Sequence, residues 1–268
     1  MTCSSPPTAG IASVSSCTEI APSIYSLILS LKESPLPGYA SPLPGQFYML
    51  RARPSAVFLG RPISLYRSTG KELEFLILKK GTGTAELCSL RNGDTVDLLG
   101  PLGNTFPAPT VSSQTRVAII GGGIGVAPVA GFAASLPEGS YDFFACFRSG
   151  TYGLERIKPK SLHITTEDGS AGVKGMLSHI FNEDTLRSGG YGAVYACGPE
   201  GMLKYVQKLY CAEKERSPEN PVTCFLSLEQ RMACGVGACL GCSIQTRSGL
   251  RRCCADGPVF TAEEVLFS

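Results

Sequence analysis

The sequence predicts a multidomain β plus α/β protein: an antiparallel β-barrel, then a doubly wound parallel sheet, then a small cysteine-rich domain. Three observations predict it. Short β-rich runs punctuated by Gly, Pro and Asn fill residues 23–103, strand-then-helix units follow from residue 116, and five of the twelve cysteines fall after residue 230. A chain of 268 residues is long enough for about two ordinary domains and a smaller appendage. The expected boundaries are 1–110, 111–220 and 221–268.

The barrel strands are expected at Ile24 to Leu31, Gln46 to Ala52, Ile63 to Arg67, Leu73 to Lys79 and Thr95 to Leu99, at the regular spacing of antiparallel architectures. A stretch from Gly103 to Thr115, rich in Pro, Ser and Thr, reads as a linker. The parallel sheet is expected from Arg116 to Ile120, Tyr141 to Phe147, Leu162 to Thr166 and Ala193 to Ala196, with helices starting at Pro128 and Pro199. A short strand, Thr223 to Ser227, then leads into the cysteine-rich tail.

Charge excludes some classes of function. The net charge is +2, from 24 Lys and Arg against 22 Asp and Glu, and gives no field that would draw a nucleic acid or an anionic membrane. The uncharged run Val117 to Pro137 has the length of a bilayer span. Its glycines fall where a strand turns into a helix, and no basic residues cluster at its flanks, so it is read as strand, turn and helix. The first twenty residues lack Lys and Arg, unlike a secretory signal, and a cytoplasmic location is expected. In a reducing compartment the cysteines read as metal ligands and buried small residues, not disulfides.

Cys234, Cys239 and Cys242, followed by Cys254, have the C-x4-C-x2-C…C spacing of plant-type 2Fe-2S sites. Wrapping three thiolates around one cluster needs a tight loop, and Gly235, Gly237 and Gly241 offer the positive φ angles for it. Amide N–H groups freed by such a loop can bond to the cluster sulfurs. A structural zinc site is the alternative, but zinc ligands usually pair C-x2-C with a second such pair or with histidines. Spacing alone leaves Cys253 and Cys254 both open as fourth ligand. Cys3, Cys88 and Cys211 read as ordinary residues.

Gly121, Gly122, Gly123 and Gly125 follow a predicted strand and open a helix, where N–H groups and the helix dipole can receive a pyrophosphate. The pattern ends in Pro128 in place of the third glycine of the common dinucleotide fingerprint. Close strand–helix packing alone is the competing reading of these glycines. Cys197, Gly198 and Pro199 form a second strand-to-helix turn, and two such turns at one sheet edge would frame a ligand crevice. Arg61, Pro62, Ile63 and Ser64 open a barrel strand, where a guanidinium could grip a diphosphate. His163 and His179 lie in no recognisable motif and are not expected to act as bases.

Taken together, these segments resemble one family: the electron-transfer subunit of the NAD-linked, two-subunit dihydroorotate dehydrogenase, within the ferredoxin reductase superfamily. The resemblance runs over nearly all the chain after residue 20. It is carried by Pro44 to Phe47, Arg61 to Ser64, Gly81 to Thr84, Leu99 to Asn104, Gly121 to Pro128, Thr166 to Ser170, Ala196 to Pro199, the Cys234 to Cys242 loop and Cys254 to Phe260. The last stretch favours Cys254 over Cys253. The resemblance implies FAD in the barrel, at Arg61, Pro62, Ile63, Ser64, Gly83 and Thr84, with Leu76, Ile77 and Leu78 alongside. Family members often carry a Tyr-Arg pair where this chain has Ile77 and Leu78, which leaves Lys79 or Lys80 as a substitute basic contact.

The resemblance also implies NAD at the Gly121 loop and the Cys197 turn. The 2Fe-2S cluster would sit on Cys234, Cys239, Cys242 and Cys254, and an FMN-bearing catalytic subunit would be the partner, in a heterotetramer of two of each. Electrons would pass from dihydroorotate through FMN, cluster and FAD to NAD, in pyrimidine biosynthesis. A flavin is the natural intermediary, because a nicotinamide gives or takes a hydride and a 2Fe-2S cluster one electron at a time. The alternatives are a stand-alone NAD(P)H reductase with the same cofactors, for which Arg148 could meet a 2′-phosphate, and a non-redox zinc module.

Overall fold

The computed structural model describes residues 7–31, 41–109, 116–219 and 222–267. The chain divides into two compact units, one of residues 1–105, 230–243 and 252–258, the other of residues 106–229, 244–251 and 259–268. Residues 110–115 of the expected linker, Cys3 and Pro221 lie outside the described residues.

The first unit is a closed barrel of six antiparallel strands: β1 (Thr8–Ala21), β2 (Ile24–Ser30), β3 (Phe47–Arg53), β4 (Arg61–Ser68), β5 (Glu72–Leu78) and β6 (Thr95–Leu102). Their order around the barrel is β1-β2-β5-β4-β3-β6, and β6 returns to pair with β1. Alternation fills the interior: Leu73, Phe75 and Ile77 of β5 meet Leu27 and Leu29 of β2, Tyr48 and Leu50 of β3, and Val96 and Leu98 of β6. Each such side chain contributes about 1.5–3 kcal/mol through its burial. The short helix α1 (Thr82–Cys88) buries Leu87 and Cys88 against this core.

The barrel was expected to start at Ser23 and starts at Thr8. Strand β1 is mostly Ser, Thr, Ala and Cys, with only Ala12 and Val14 fully inward, so its own sequence carries little alternation. Pairing with β2 on one side and β6 on the other makes it a strand.

The second unit is a seven-stranded sheet in the order β10-β9-β8-β7-β11-β12-β15. Its members are β7 (Arg116–Gly122), β8 (Tyr141–Phe147), β9 (Ser161–Thr166), β10 (Val173–Lys174), β11 (Tyr191–Cys197), β12 (Thr223–Ser227) and β15 (Val259–Thr261). The first six run parallel and β15 antiparallel. Near-continuous apolar runs such as Val117 to Ile120 and Ala193 to Ala196 are buried, as befits strands covered on both faces. Helix α2 (Val126–Ala133) packs on β7 and β11, α3 (Glu183–Ser188) packs on α4, and α4 (Glu200–Arg216) lies along β11 and β12. The uncharged run thus becomes β7 and an eight-residue helix. Among the described residues no helix is long and apolar enough to cross a membrane.

The tail, expected as a domain of its own over 221–268, is divided between the two units. Strands β12 and β15 extend the sheet, a ribbon of β13 (Ser243–Thr246) and β14 (Gly249–Arg252) lies between them in sequence, and the cysteine loop packs with the barrel unit.

Candidate functional site

The cysteine loop is shaped by its glycines. Gly235 and Gly237 have φ of 73° and 81°, in the left-handed region that L side chains rarely adopt. Gly241, expected to share that role, has no positive φ, and the third left-handed turn falls on Leu240 at 59°. Backbone N–H groups point at sulfur: Gly237 donates to Cys254 Sγ at 3.1 Å, Cys239 to Cys234 Sγ at 3.4 Å and Cys254 to Cys242 Sγ at 3.4 Å.

Among the described residues no three metal-ligating side chains converge on a single ion. The N–H···S bonds instead link the four cysteines two and two, Cys239 to Cys234 and Cys254 to Cys242, an arrangement that would suit two irons with two thiolates each. Burial acts to raise the Cys234 thiol, but the N–H groups of Cys239, Val236 and Ala238 outweigh it and bring it down to about 6. Burial, then the adjacent Cys242 sulfur, push Cys254 up to about 12. Two sulfurs this close resist ionising together, and bound iron removes that penalty. The donor set therefore fits a 2Fe-2S cluster. Cys253 is fully buried beside them, its N–H donating to Cys242 O at 3.0 Å.

This loop is seated on the barrel. A Cβ on Gly235 would lie 2.7 Å from Met49 Cγ and 3.0 Å from Leu102 Cδ1, and one on Gly103 would lie 2.6 Å from Pro258 Cδ. Both arms of the tail therefore touch strands of the barrel closely enough to exclude a side chain. Met49 of β3 is paired with Pro62 of β4, and Leu50 with Arg61. The loop thus rests on the strand next to the Arg61–Ser64 segment.

Arg61, Pro62, Ile63 and Ser64 form the first half of β4, all half-buried. The Arg61 guanidinium lies over Gly83, where a Cβ would come within 2.3 Å of Nε, so Gly83 keeps that position open. The Thr84 hydroxyl accepts from the N–H of Lys80 at 2.9 Å and of Gly81 at 3.1 Å, capping α1. Of the three β5 residues, Ile77 points into the barrel core, Leu76 is buried outside that core, and Leu78 is exposed. Alternation dictates this, and it leaves the Ile77 side chain without access to a ligand. Lys79 Nζ lies 5.9 Å from the Tyr25 ring centre.

In the second unit the two glycine turns meet. Strands β7 and β11 are neighbours, with Gly121 opposite Cys197, and they flank the point where strand order reverses, β8 to β10 lying on one side and β12 on the other. Open parallel sheets bind ligands at such a point. A Cβ on Gly125 would lie 2.6 Å from the Cys197 carbonyl and the Gly198 N. One on Gly122 would lie 2.6 Å from Met202 Sδ and 2.9 Å from Pro199 Cδ. Gly123 opens the turn at φ 52°, and Pro128 occupies the first turn of α2. No side chain caps α2, and the Val126 N–H at its start bonds back to the Gly123 and Ile124 carbonyls.

Cys197 is buried, and burial, then the Glu229 carboxylate, push its thiol up to about 12 against a hydrogen bond with Ser227. Ser227 and Glu229 escaped sequence reasoning as partners of Cys197, because nothing local marks them as its neighbours. His163 stacks on Phe144 at 4.7 Å, and His179 bonds to the Met176 backbone.

Comparison with known proteins gives one answer. The family described as the iron-sulfur cluster binding domain of dihydroorotate dehydrogenase B matches residues 229–266. The dihydroorotate dehydrogenase B (NAD(+)) electron transfer subunit of Clostridium acetobutylicum is 40% identical over 84% of this chain and 87% of its own. That of Clostridium perfringens is 38% identical over 93% and 94%. Among solved structures, the NADH-dependent reduced ferredoxin-NADP oxidoreductase superposes with a TM-score of 0.74 at 24% identity, over 96% of this chain and 90% of that one. Phthalate dioxygenase reductase, which transfers electrons from pyridine nucleotides to a 2Fe-2S centre, does so at 0.55 and 18%, over 75% and 64%. These two likenesses concern the fold. Identity of this order along nearly the whole length of both chains means that the protein belongs to the family of dihydroorotate dehydrogenase B electron transfer subunits.

Proposed function

We propose that this chain links dihydroorotate oxidation to NAD reduction. Cys234, Cys239, Cys242 and Cys254 hold a 2Fe-2S cluster; Arg61 to Ser64, Gly83 and Thr84 hold FAD; and the Gly121 to Gly125 and Cys197 to Pro199 turns hold NAD. An FMN-bearing catalytic subunit is the partner, in a heterotetramer of two of each in the cytoplasm. The observation that carries this reading is the seat of the cysteine loop on Met49, one strand from Pro62.

Bound FAD supplies the exchange between one-electron and two-electron chemistry. The chain's own residues bind and position. Arg61 presents a cation for a diphosphate beside Gly83, where no side chain intrudes. The loop's N–H groups neutralise part of the charge on the thiolates. The N-terminus of α2, which no side chain caps, donates to the pyrophosphate of NAD. Two single electrons arriving at the flavin must be joined by one proton from solvent before a hydride can leave for NAD. No side chain of this chain is assigned to carry it: Cys197 is buried, and His163 and His179 make contacts elsewhere.

The test is purification from the native cell. The expected product is a coloured complex containing flavin and iron, with a second flavoprotein that oxidises dihydroorotate with NAD. A colourless, zinc-loaded protein overturns the reading. So does a chain that purifies alone and reduces acceptors at full rate.

A further inference from the structure

Beside the cysteine loop stands an ion pair that cluster ligation does not require. Arg252 and Asp256 flank Cys253 and Cys254, and the carboxylate grips the arginine three times. Asp256 Oδ2 accepts from the Arg252 backbone N–H at 2.7 Å and from Nε at 3.0 Å, and Oδ1 accepts from an Nη at 3.0 Å. A fork held by both edges of a carboxylate has little rotational freedom left. The other Nη reaches across to the first arm of the loop, 3.5 Å from Gly237 O. Gly237 is the residue whose own N–H donates to Cys254 Sγ. A Cβ there would come within 3.0 Å of Arg252 and 2.9 Å of Ala255 Cβ, so the guanidinium occupies the space that a side chain at 237 would take.

The cation is thus fixed against the cluster loop, on the side of the Cys242 and Cys254 pair. Asp256 holds the Arg252 guanidinium in place through its two side-chain bonds. The Asp256 anion shares the site and opposes it. A cluster gains one negative charge on reduction, so a fixed cation nearby favours the reduced form and a fixed anion disfavours it.

We propose that Arg252 and Asp256 form an opposed charge pair that sets the reduction potential of the cluster, Arg252 raising it and Asp256 lowering it. Arg252 is a positioning residue and touches no iron. The inference rests on the ligand assignment proposed above.

The test is an EPR-monitored redox titration of the purified complex carrying Arg252→Gln, Arg252→Lys or Asp256→Asn, with iron content measured on each. Arg252→Gln is expected to lower the midpoint potential, Arg252→Lys to restore most of the wild-type value, and Asp256→Asn to raise it. The opposite signs separate charge from structure, since a clamp that merely held the loop together would shift both variants the same way or release iron from both. If Arg252→Gln loses its iron, Asp256→Asn decides: a higher potential supports the proposal, and an unchanged or lower one overturns it. Unshifted potentials in iron-loaded variants overturn this inference and leave the ligand assignment standing. A wild-type complex without a cluster overturns both.

Discussion

Two glycine-rich segments are proposed to face ligands in this protein, and they use glycine for different reasons. In the cysteine loop Gly235 and Gly237 bend the chain through left-handed conformations, so that sulfurs and N–H groups converge. In the nucleotide turns Gly121, Gly122, Gly125 and Gly198 have ordinary φ angles, yet a Cβ on any of them would lie 3.0 Å or less from a neighbouring atom. There glycine lets two strand-to-helix turns lie against each other. The first segment needs conformational freedom as well as room, since a Cβ on Gly235 or Gly237 would also crowd its neighbours, whereas these four glycines of the second need only the absence of a side chain. A loop that wraps its ligand can be built from local geometry, whereas a crevice between two turns depends on distant backbone.

The largest effect that tests this contrast comes from the ligands themselves. Serine at Cys234, Cys239, Cys242 or Cys254 is expected to remove the cluster's iron and its visible absorption, while Cys253→Ser keeps both. Iron retained in Cys254→Ser and lost in Cys253→Ser would reverse the assignment of the fourth ligand.

Gly125→Ala comes next. Its Cβ would press on the backbone of Cys197 and Gly198, which cannot swing aside as a side chain can. A cost of about 1–3 kcal/mol is expected from overpacking, with NADH affinity reduced at least tenfold and the iron content unchanged. Calorimetric melting and an NADH titration check this, and a variant that melts and binds like the wild type would end the close-contact account.

Gly235→Ala should act on the other segment alone. The left-handed φ costs about 1–2 kcal/mol in an L-residue, and the Met49 side chain, the nearest obstacle, is flexible enough to yield. Partial iron occupancy with normal NADH binding is the expected phenotype. Loss of NADH binding with full iron would contradict the division.

The smallest effect is predicted at Gly123, where φ is 52° and a Cβ would meet nothing within 4 Å. Only the conformational penalty of about 1–2 kcal/mol applies, without the backbone clash, so Gly123→Ala should weaken NADH binding less than Gly125→Ala does. If the two variants bind equally poorly, the turns need freedom as much as space, and the contrast between the segments collapses.

What the sequence determined by itself was whatever is written in neighbouring residues. Cys234, Cys239 and Cys242 lie within nine residues, so their spacing alone describes a cluster loop. Strands Tyr141–Phe147 and Thr223–Ser227 have the limits expected of them, because compact apolar runs next to turn residues leave little choice. Resemblance to a known family supplied the flavin and the partner.

Tertiary structure decided what depends on distant partners. Strand β1 exists through its pairing with β2 and β6. The tail is divided because its strands complete a sheet and its cysteines need a barrel to rest on. Ile77 turned out to be core, since the phase of β5 is set by what its neighbours enclose. The contact of Gly125 with Cys197 joins residues far apart in the chain. Periodicity and spacing act over a turn or a strand, while packing joins segments whose separation leaves no trace in either one alone.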